Sequence, residues 1–186
     1  MGLKKTTTLV LVLGIWLGAS ALLLWVVGSS FPGVEKAVQN NEKLAKEAGL
    51  KPGDAAARKI SVPWVVTGEL NRQYFAGWNI GQLVLAGTAL LCAARCRQRA
   101  TFLVLCIAAL IVLALSFWLA PELTVTGRSL DFVPRDPPPA QESRFMGLHR
   151  LYTGLELAKV VLLVLAVKLA GREEGKRPGE PAQQAS

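Results

Sequence analysis

The last long apolar segment, residues 145–170, carries several ionisable side chains in its interior. At about 100° per residue in an α-helix, its polar side chains fall within one arc of roughly 120°. A charged group inside membrane hydrocarbon costs at least about 2.5–3.5 kcal/mol, so this arc should face protein or trapped water. The arc is our candidate intramembrane polar site, and it contains His149, Tyr152, Thr153, Glu156 and Lys159.

Two amide side chains of an earlier apolar segment are predicted to join this site. Both segments should run from the outside to the inside, and counting about 1.5 Å per residue puts Asn79 level with Glu156 and Gln82 level with Lys159. We expect the two amides to hydrogen-bond, directly or through water, to the two charged groups. The pair has two interpretations: a structural ion pair that fixes helix register, or a working site.

Metal and cofactor chemistry have little support in the sequence. Cys92 and Cys96 are one helical turn apart and Cys106 is near, so the three thiols could hold Cu(I). A fourth ligand is missing, however, and we expect the three cysteines to be free, buried thiols. The chain has one histidine, so a tetrapyrrole at His149 would need five-coordinate iron, Met146 as a second ligand, or a site shared between chains. We predict no metal or cofactor and keep copper or a tetrapyrrole at His149 as alternatives.

The composition is that of a membrane protein, with a mean hydropathy of +0.37 and 52% hydrophobic against 18% charged residues. The apolar residues form four blocks, each close to the ~20 residues that cross a bilayer as a helix. We therefore predict an all-α polytopic fold, a four-transmembrane-helix bundle that occupies residues 1–171. The predicted spans are 8–28, 68–95, 101–120 and 145–170.

The charges give the predicted orientation. Lys4 and Lys5 precede the first span, and Arg95, Arg97 and Arg99 lie in the short link between the second and third spans. Further Lys and Arg residues follow the fourth span, so the positive-inside rule puts both termini in the cytoplasm, in a plasma membrane or bacterial inner membrane. Topology thus accounts for the net charge of +8, and no nucleic acid is expected as a partner.

The predicted loops are 29–67 and 121–144, both outside. Helical spacing of apolar residues in the first loop predicts a short amphipathic helix that stops at Gly49. Pro121 is predicted to end the third span. The polar tail, residues 172–186, is predicted to be disordered.

Glycines four residues apart suggest two grooves for close helix packing. Gly14 and Gly18 lie on one face of the first span, and Gly77 and Gly81 on one face of the second. Small residues at this spacing let helices approach closely, inside one bundle or between chains.

A few short motifs resemble a known family. They are the run Gly14-Ile15-Trp16-Leu17-Gly18-Ala19, then Phe31, and Phe145 four residues before His149 in a final helix that also carries Glu156. The combination resembles small four-helix membrane proteins similar to transmembrane protein 205, whose bacterial members are of unknown function. The resemblance implies a four-span bundle and no defined chemistry.

Three functions are compatible with the sequence; the first is our prediction and the other two are kept as alternatives. The first is a non-enzymatic accessory or structural subunit that contacts the lipid bilayer and binds other membrane proteins or further copies of itself. The second is a small-solute, proton or metal-ion transport or resistance protein that uses the Glu/Lys/His site. The third is a tetrapyrrole-binding subunit with a single histidine. No phosphate loop, nucleophile elbow or His-rich metal motif occurs, so we predict that the chain is not an enzyme.

Overall fold

The computed structural model describes residues 5–47, 49, 61–134 and 137–175, and all regular structure within them is helical. The prediction of an all-helical chain is therefore confirmed for this part of the protein. In chain order the elements are α1 (Lys5–Asn40), α2 (Glu42–Glu47), α3 (Val62–Arg95), α4 (Arg99–Ala114), a π-helical turn (Leu115–Leu119), α5 (Ala120–Arg128) and α6 (Ala140–Gly175).

Three helical stretches within the described residues are long and apolar enough to cross a membrane. They are Thr6–Asn40, Val62–Arg95 and Arg99–Arg128, of which the last joins α4, the π turn and α5. α6 is as long as α1, at 36 residues, but it carries charged side chains in its apolar part and is not among the three.

The four long stretches pack side by side in a ring. α1 contacts α3 and α6, and α4 likewise contacts α3 and α6, whereas in the described helices no Cα atom of α3 lies within 8 Å of one in α6. α3 and α6 are therefore diagonal to each other across the centre. We call the end where α1 finishes and α6 begins the upper end, and the opposite end the lower end.

Buried positions recur at intervals of three and four residues, as in left-handed helical bundles. This 3.5-residue period turns one narrow seam of each helix toward the centre. In α6 the seam consists of Tyr152, Glu156, Lys159, Leu163, Ala166 and Ala170. Toward the lower end it meets a hydrophobic core from the other helices: Leu9, Leu13, Trp16, Ala86, Ala89, Ala93, Leu105 and Val112.

The helices extend beyond the predicted spans at the upper end. α1 continues past residue 28, through Pro32, to Asn40, so the first part of the predicted amphipathic helix belongs to α1. The separate helix α2 starts after Asn41, whose side-chain oxygen accepts the N–H of Leu44 at 3.0 Å. Gly49 has a φ of +67°, the left-handed conformation expected of a residue that stops a helix. Residues 51–60 of the predicted loop lie outside the described residues.

The prediction that Pro121 ends the third helix is wrong. The helix runs on to Arg128 because a π-helical turn precedes the proline, in which the N–H of Ala120 donates to the carbonyl of Leu115. A proline clashes with the carbonyl four residues before it, here that of Phe117, and a wider turn at this place relieves the clash. The loop between α5 and α6 is correspondingly shorter than the predicted 121–144.

The lower end of α6 also differs from the prediction. Residues 172–175, placed in the disordered tail, continue the helix to Gly175. The rest of the predicted tail lies outside the described residues.

The predicted glycine grooves do not pack against other helices of this chain. An added Cβ at Gly14, Gly18 or Gly77 would meet nothing within 4 Å in the described part of the protein, and at Gly81 only the Trp78 ring, at 3.9 Å. Alanines make the close helix–helix contacts instead, because a methyl group is small enough to let two helices approach and still fills the space between them. The fully buried alanines are Ala89, Ala93, Ala108, Ala166 and Ala170.

Candidate functional site

A buried lysine lies at the centre of the ring. The ammonium of Lys159 donates to Oε2 of Glu156 at 2.5 Å, one helical turn away, and to Oε1 of Gln82 on the diagonal helix α3. Lys159 and Gln82 are fully buried, and Glu156 is 4% exposed. The nitrogen also lies 5.4 Å from the centre of the Trp78 ring, within range of a cation–π contact. We call these four residues the buried charge layer.

Long polar side chains form the hydrogen bond between the diagonal helices α3 and α6. The backbones of α3 and α6 do not touch, so a lysine and a glutamine, rather than two small residues, span the centre. In surroundings of low dielectric constant, the attraction between Lys159 and Glu156 offsets part of the cost of removing both from water. The layer therefore adds hydrogen bonds between two helices whose backbones do not approach each other closely.

The layer has more polar atoms than hydrogen bonds. Within it, Glu156 Oε1, Gln82 Nε2 and Trp78 Nε1 are buried and have no partner among the described residues. Most buried polar atoms in proteins are paired, with protein or with ordered water. A pair that served only to fix helix register would not need these additional donors and acceptors.

The structure separates the seven predicted site residues into two groups. Asn79, Gln82, Tyr152, Glu156 and Lys159 are buried and face the centre of the ring. Asn79 is buried, but its Oδ1 makes no hydrogen bond with the charged pair.

His149 and Thr153 are exposed. The predicted arc was too wide, because the inward seam of α6 covers only roughly 60° at this height. Thr153 donates its hydroxyl to the carbonyl of His149 at 3.0 Å, so its polar group is paired without facing the interior. The imidazole of His149 lies parallel to the ring of Phe145, with 6.0 Å between centroids.

An apolar cavity of about 480 Å³ lies at the upper end, between α1, α3, α5 and α6. Four aromatic side chains form much of its wall. Phe31 lies against Trp64, with 4.4 Å between ring centroids, and Phe75 meets Tyr152 edge to face at 5.2 Å. Tyr152 is thus shared: it lines this upper cavity and sits one helical turn above Glu156.

An ion-pair network joins the helices around the upper cavity. The guanidinium of Arg72 donates to Glu69 at 2.9 Å and to Asp131 at 2.8 Å, and Glu69 accepts a further bond from Arg128 at 2.9 Å. Next to this network, a Cβ at Gly127 would lie 3.3 Å from Cε2 of Phe145, a tight contact, and 3.5 Å from Nη2 of Arg72, an ordinary one. Its two long-range pairs join residues 59 positions apart, and no sequence pattern indicates them.

The cysteines show no metal site. Cys92, Cys96 and Cys106 form no disulfide. Within the described residues, no three His, Cys, Asp or Glu side chains are arranged to hold a metal ion. The copper alternative therefore gains no support from the geometry.

Comparison of the chain with protein-family models, with curated proteins and with solved structures gives no match. The resemblance to proteins similar to transmembrane protein 205 stays a prediction.

Proposed function

We propose that α6 is a fourth membrane span, so that the chain is a four-span bundle with both termini in the cytoplasm. The support is the distribution of its side chains: Glu156 and Lys159 point to the centre, while the exposed side chains between residues 154 and 167 are all apolar. Exposed apolar side chains along a 36-residue helix are suited to contact with lipid. They are Leu151, Leu157, Val161, Val164 and Leu165. The positive charges near the lower end favour a plasma membrane or bacterial inner membrane.

We further propose a non-enzymatic role in moving protons or a small polar solute through the buried charge layer. The observation that carries this proposal is the fully buried Lys159, which donates to Glu156 and Gln82 and lies near polar atoms that have no partner in the described part of the chain. Ionisable residues inside a membrane are rare, and where they occur they often belong to ion or proton pathways. Tyr152, one helical turn above Glu156, lines the upper cavity next to this layer.

Proton movement can be measured in sealed vesicles. The full chain is reconstituted with a pH-sensitive dye inside, and an imposed pH difference is followed with time. We expect faster equilibration than in empty vesicles, and a loss of this gain in Glu156→Gln, which keeps the shape of the side chain and removes its charge. Lys168→Gln, an exposed position on the same helix, is the matched control.

Protein content per vesicle is measured for each variant. Equal rates for the original chain, Glu156→Gln and empty vesicles would remove the proton version of the proposal. A rate in Glu156→Gln equal to that of the original chain would remove the role of this residue.

The second candidate is an accessory subunit that binds other membrane proteins or another copy of the chain. The open surfaces at Gly14, Gly18 and Gly77 favour it, because a helix of another chain could approach the backbone closely there. The large exposed side chains of Trp25 and Phe117 are suited either to such a contact or to lipid.

Glycine substitutions test this second candidate. We expect Gly14→Ala and Gly77→Ala each to stabilise the isolated chain by roughly 0.5–1 kcal/mol, because Ala favours a helix over Gly and meets no neighbour. If the surfaces bind other chains, Gly14→Leu and Gly77→Leu should release partners that co-purify in mild detergent. Unchanged partners in both Leu variants would argue against these surfaces as interfaces.

A further inference from the structure

The upper cavity has the size and wall chemistry of a ligand site. Its volume of about 480 Å³ lies within the range of about 300–1,000 Å³ that is usual for small-molecule pockets. Most of its lining is apolar, including Val27, Phe31, Leu123 and Met146. Glu156, Lys159 and Gln82 do not line it, so it is separate from the buried charge layer.

Two polar side chains that line the cavity have atoms without a partner. Asn71 is 6% exposed; its Oδ1 lies 3.1 Å from the hydroxyl of Ser30, but its Nδ2 has no partner among the described residues. Tyr152 is 5% exposed, and its hydroxyl is likewise unpaired. An amide nitrogen is a donor only, and a phenol donates readily. Both groups therefore call for an acceptor in the cavity.

The charged groups around the cavity are already engaged. Arg72 uses both terminal nitrogens on Glu69 and Asp131, so it offers no free fork to an anion. Asp131 is in turn paired with Arg72, and Glu142, the remaining acidic lining residue, also takes part in an interaction. An ionic ligand would have to break these pairs, whereas an uncharged one would not.

We infer that the upper cavity binds an uncharged, lipid-soluble molecule with carbonyl-type oxygens that accept hydrogen bonds from Asn71 Nδ2 and the Tyr152 hydroxyl. The apolar and aromatic walls hold its hydrocarbon body. Two sources in a membrane have this chemistry: the ring of a quinone and the ester group of a neutral acylglycerol. This site goes beyond the proposed transfer through the charge layer, because it needs neither Glu156 nor Lys159.

Native mass spectrometry of the full chain tests the site. The protein is released from maltoside micelles, whose detergent has no carbonyl group, and bound molecules are counted during titration. The two probes are a decyl-substituted benzoquinone and a monooleoylglycerol. We expect saturable binding of one molecule per chain for at least one probe, and the probe that binds identifies the source.

Two variants test the position of the ligand. Tyr152→Phe keeps the ring against Phe75 and removes one hydrogen bond, so we expect binding roughly three- to tenfold weaker. Leu123→Trp fills the cavity and should weaken binding by more than tenfold. The matched controls are Tyr74→Phe, the other tyrosine of the chain, and Leu103→Trp, both at exposed positions outside the cavity.

Three results would count against the inference. Absence of saturable binding of either probe would overturn it, and so would binding by both cavity variants equal to that of the original chain. Loss in Leu123→Trp with unchanged binding in Tyr152→Phe would overturn the assigned hydrogen bond. Glu156→Gln should bind the probe as the original chain does, which separates this site from the transfer role of the charge layer.

Discussion

Lys159→Met is expected to lower the free energy of unfolding by about 3–5 kcal/mol, the usual cost of breaking a buried ion pair by removing one partner. The substitution leaves Glu156 without its counter-charge and removes the hydrogen-bond donor that Gln82 Oε1 has among the described residues. It also cuts the hydrogen bond between the diagonal helices α3 and α6. Denaturant titration in detergent micelles, followed by circular dichroism, measures the change.

Two comparisons make this result interpretable. Lys168→Met removes a lysine from the exposed side of the same helix and should change stability by less than about 0.5 kcal/mol. The double variant Lys159→Met with Glu156→Leu should recover much of the loss, because apolar replacement of a whole buried pair is often neutral. If Lys159→Met costs no more than Lys168→Met, the pair does not hold the ring together.

Ala89→Leu is expected to destabilise the protein by about 1–3 kcal/mol, the usual cost of overpacking a filled core. Ala89 is fully buried, and the larger side chain would have to push α3 away from its neighbours. Gly87→Leu is the control: it lies two residues earlier on the same helix, where an added Cβ meets nothing within 4 Å. The same titration in micelles compares the two variants.

We expect Ala89→Leu to lower the free energy of unfolding more than Gly87→Leu does. Equal losses for Ala89→Leu and Gly87→Leu would mean that the outer surface is as closely packed as the centre. That outcome would contradict the assignment of alanines, rather than glycines, to the close contacts within the chain.

The contact between Gln82 and Lys159 could be predicted from the sequence because it depends on one length, the rise per residue of an α-helix. Two helices that run in the same direction can be compared in depth by counting. A buried charge also has few alternatives to facing the centre. Both constraints can be read from the residues of a single helix, so the sequence alone was enough to predict this contact.

Other features depend on more than one element and were predicted wrongly or missed. Small residues indicate that a helix surface can be approached, but not which helix approaches it, so Gly14 and Gly77 were indistinguishable from Ala89. The ion pair between Arg72 and Asp131 depends on where the third helical stretch ends, and this stretch continues past Pro121, where it was predicted to stop. Because the end of this helix was predicted wrongly, the ion-pair network could not be predicted either.

The π-helical turn changes the orientation of α5, the helix that follows it. Closing five residues instead of four adds one residue to the turn, which rotates the following helix by roughly 100° relative to an unbroken α-helix. Leu123 and Gly127, which line the upper cavity, lie in the helix that follows this turn. The wider turn before Pro121 therefore shifts the phase of the helix, and this shift helps to set which side chains of α5 line the upper cavity and which lie on its outer surface.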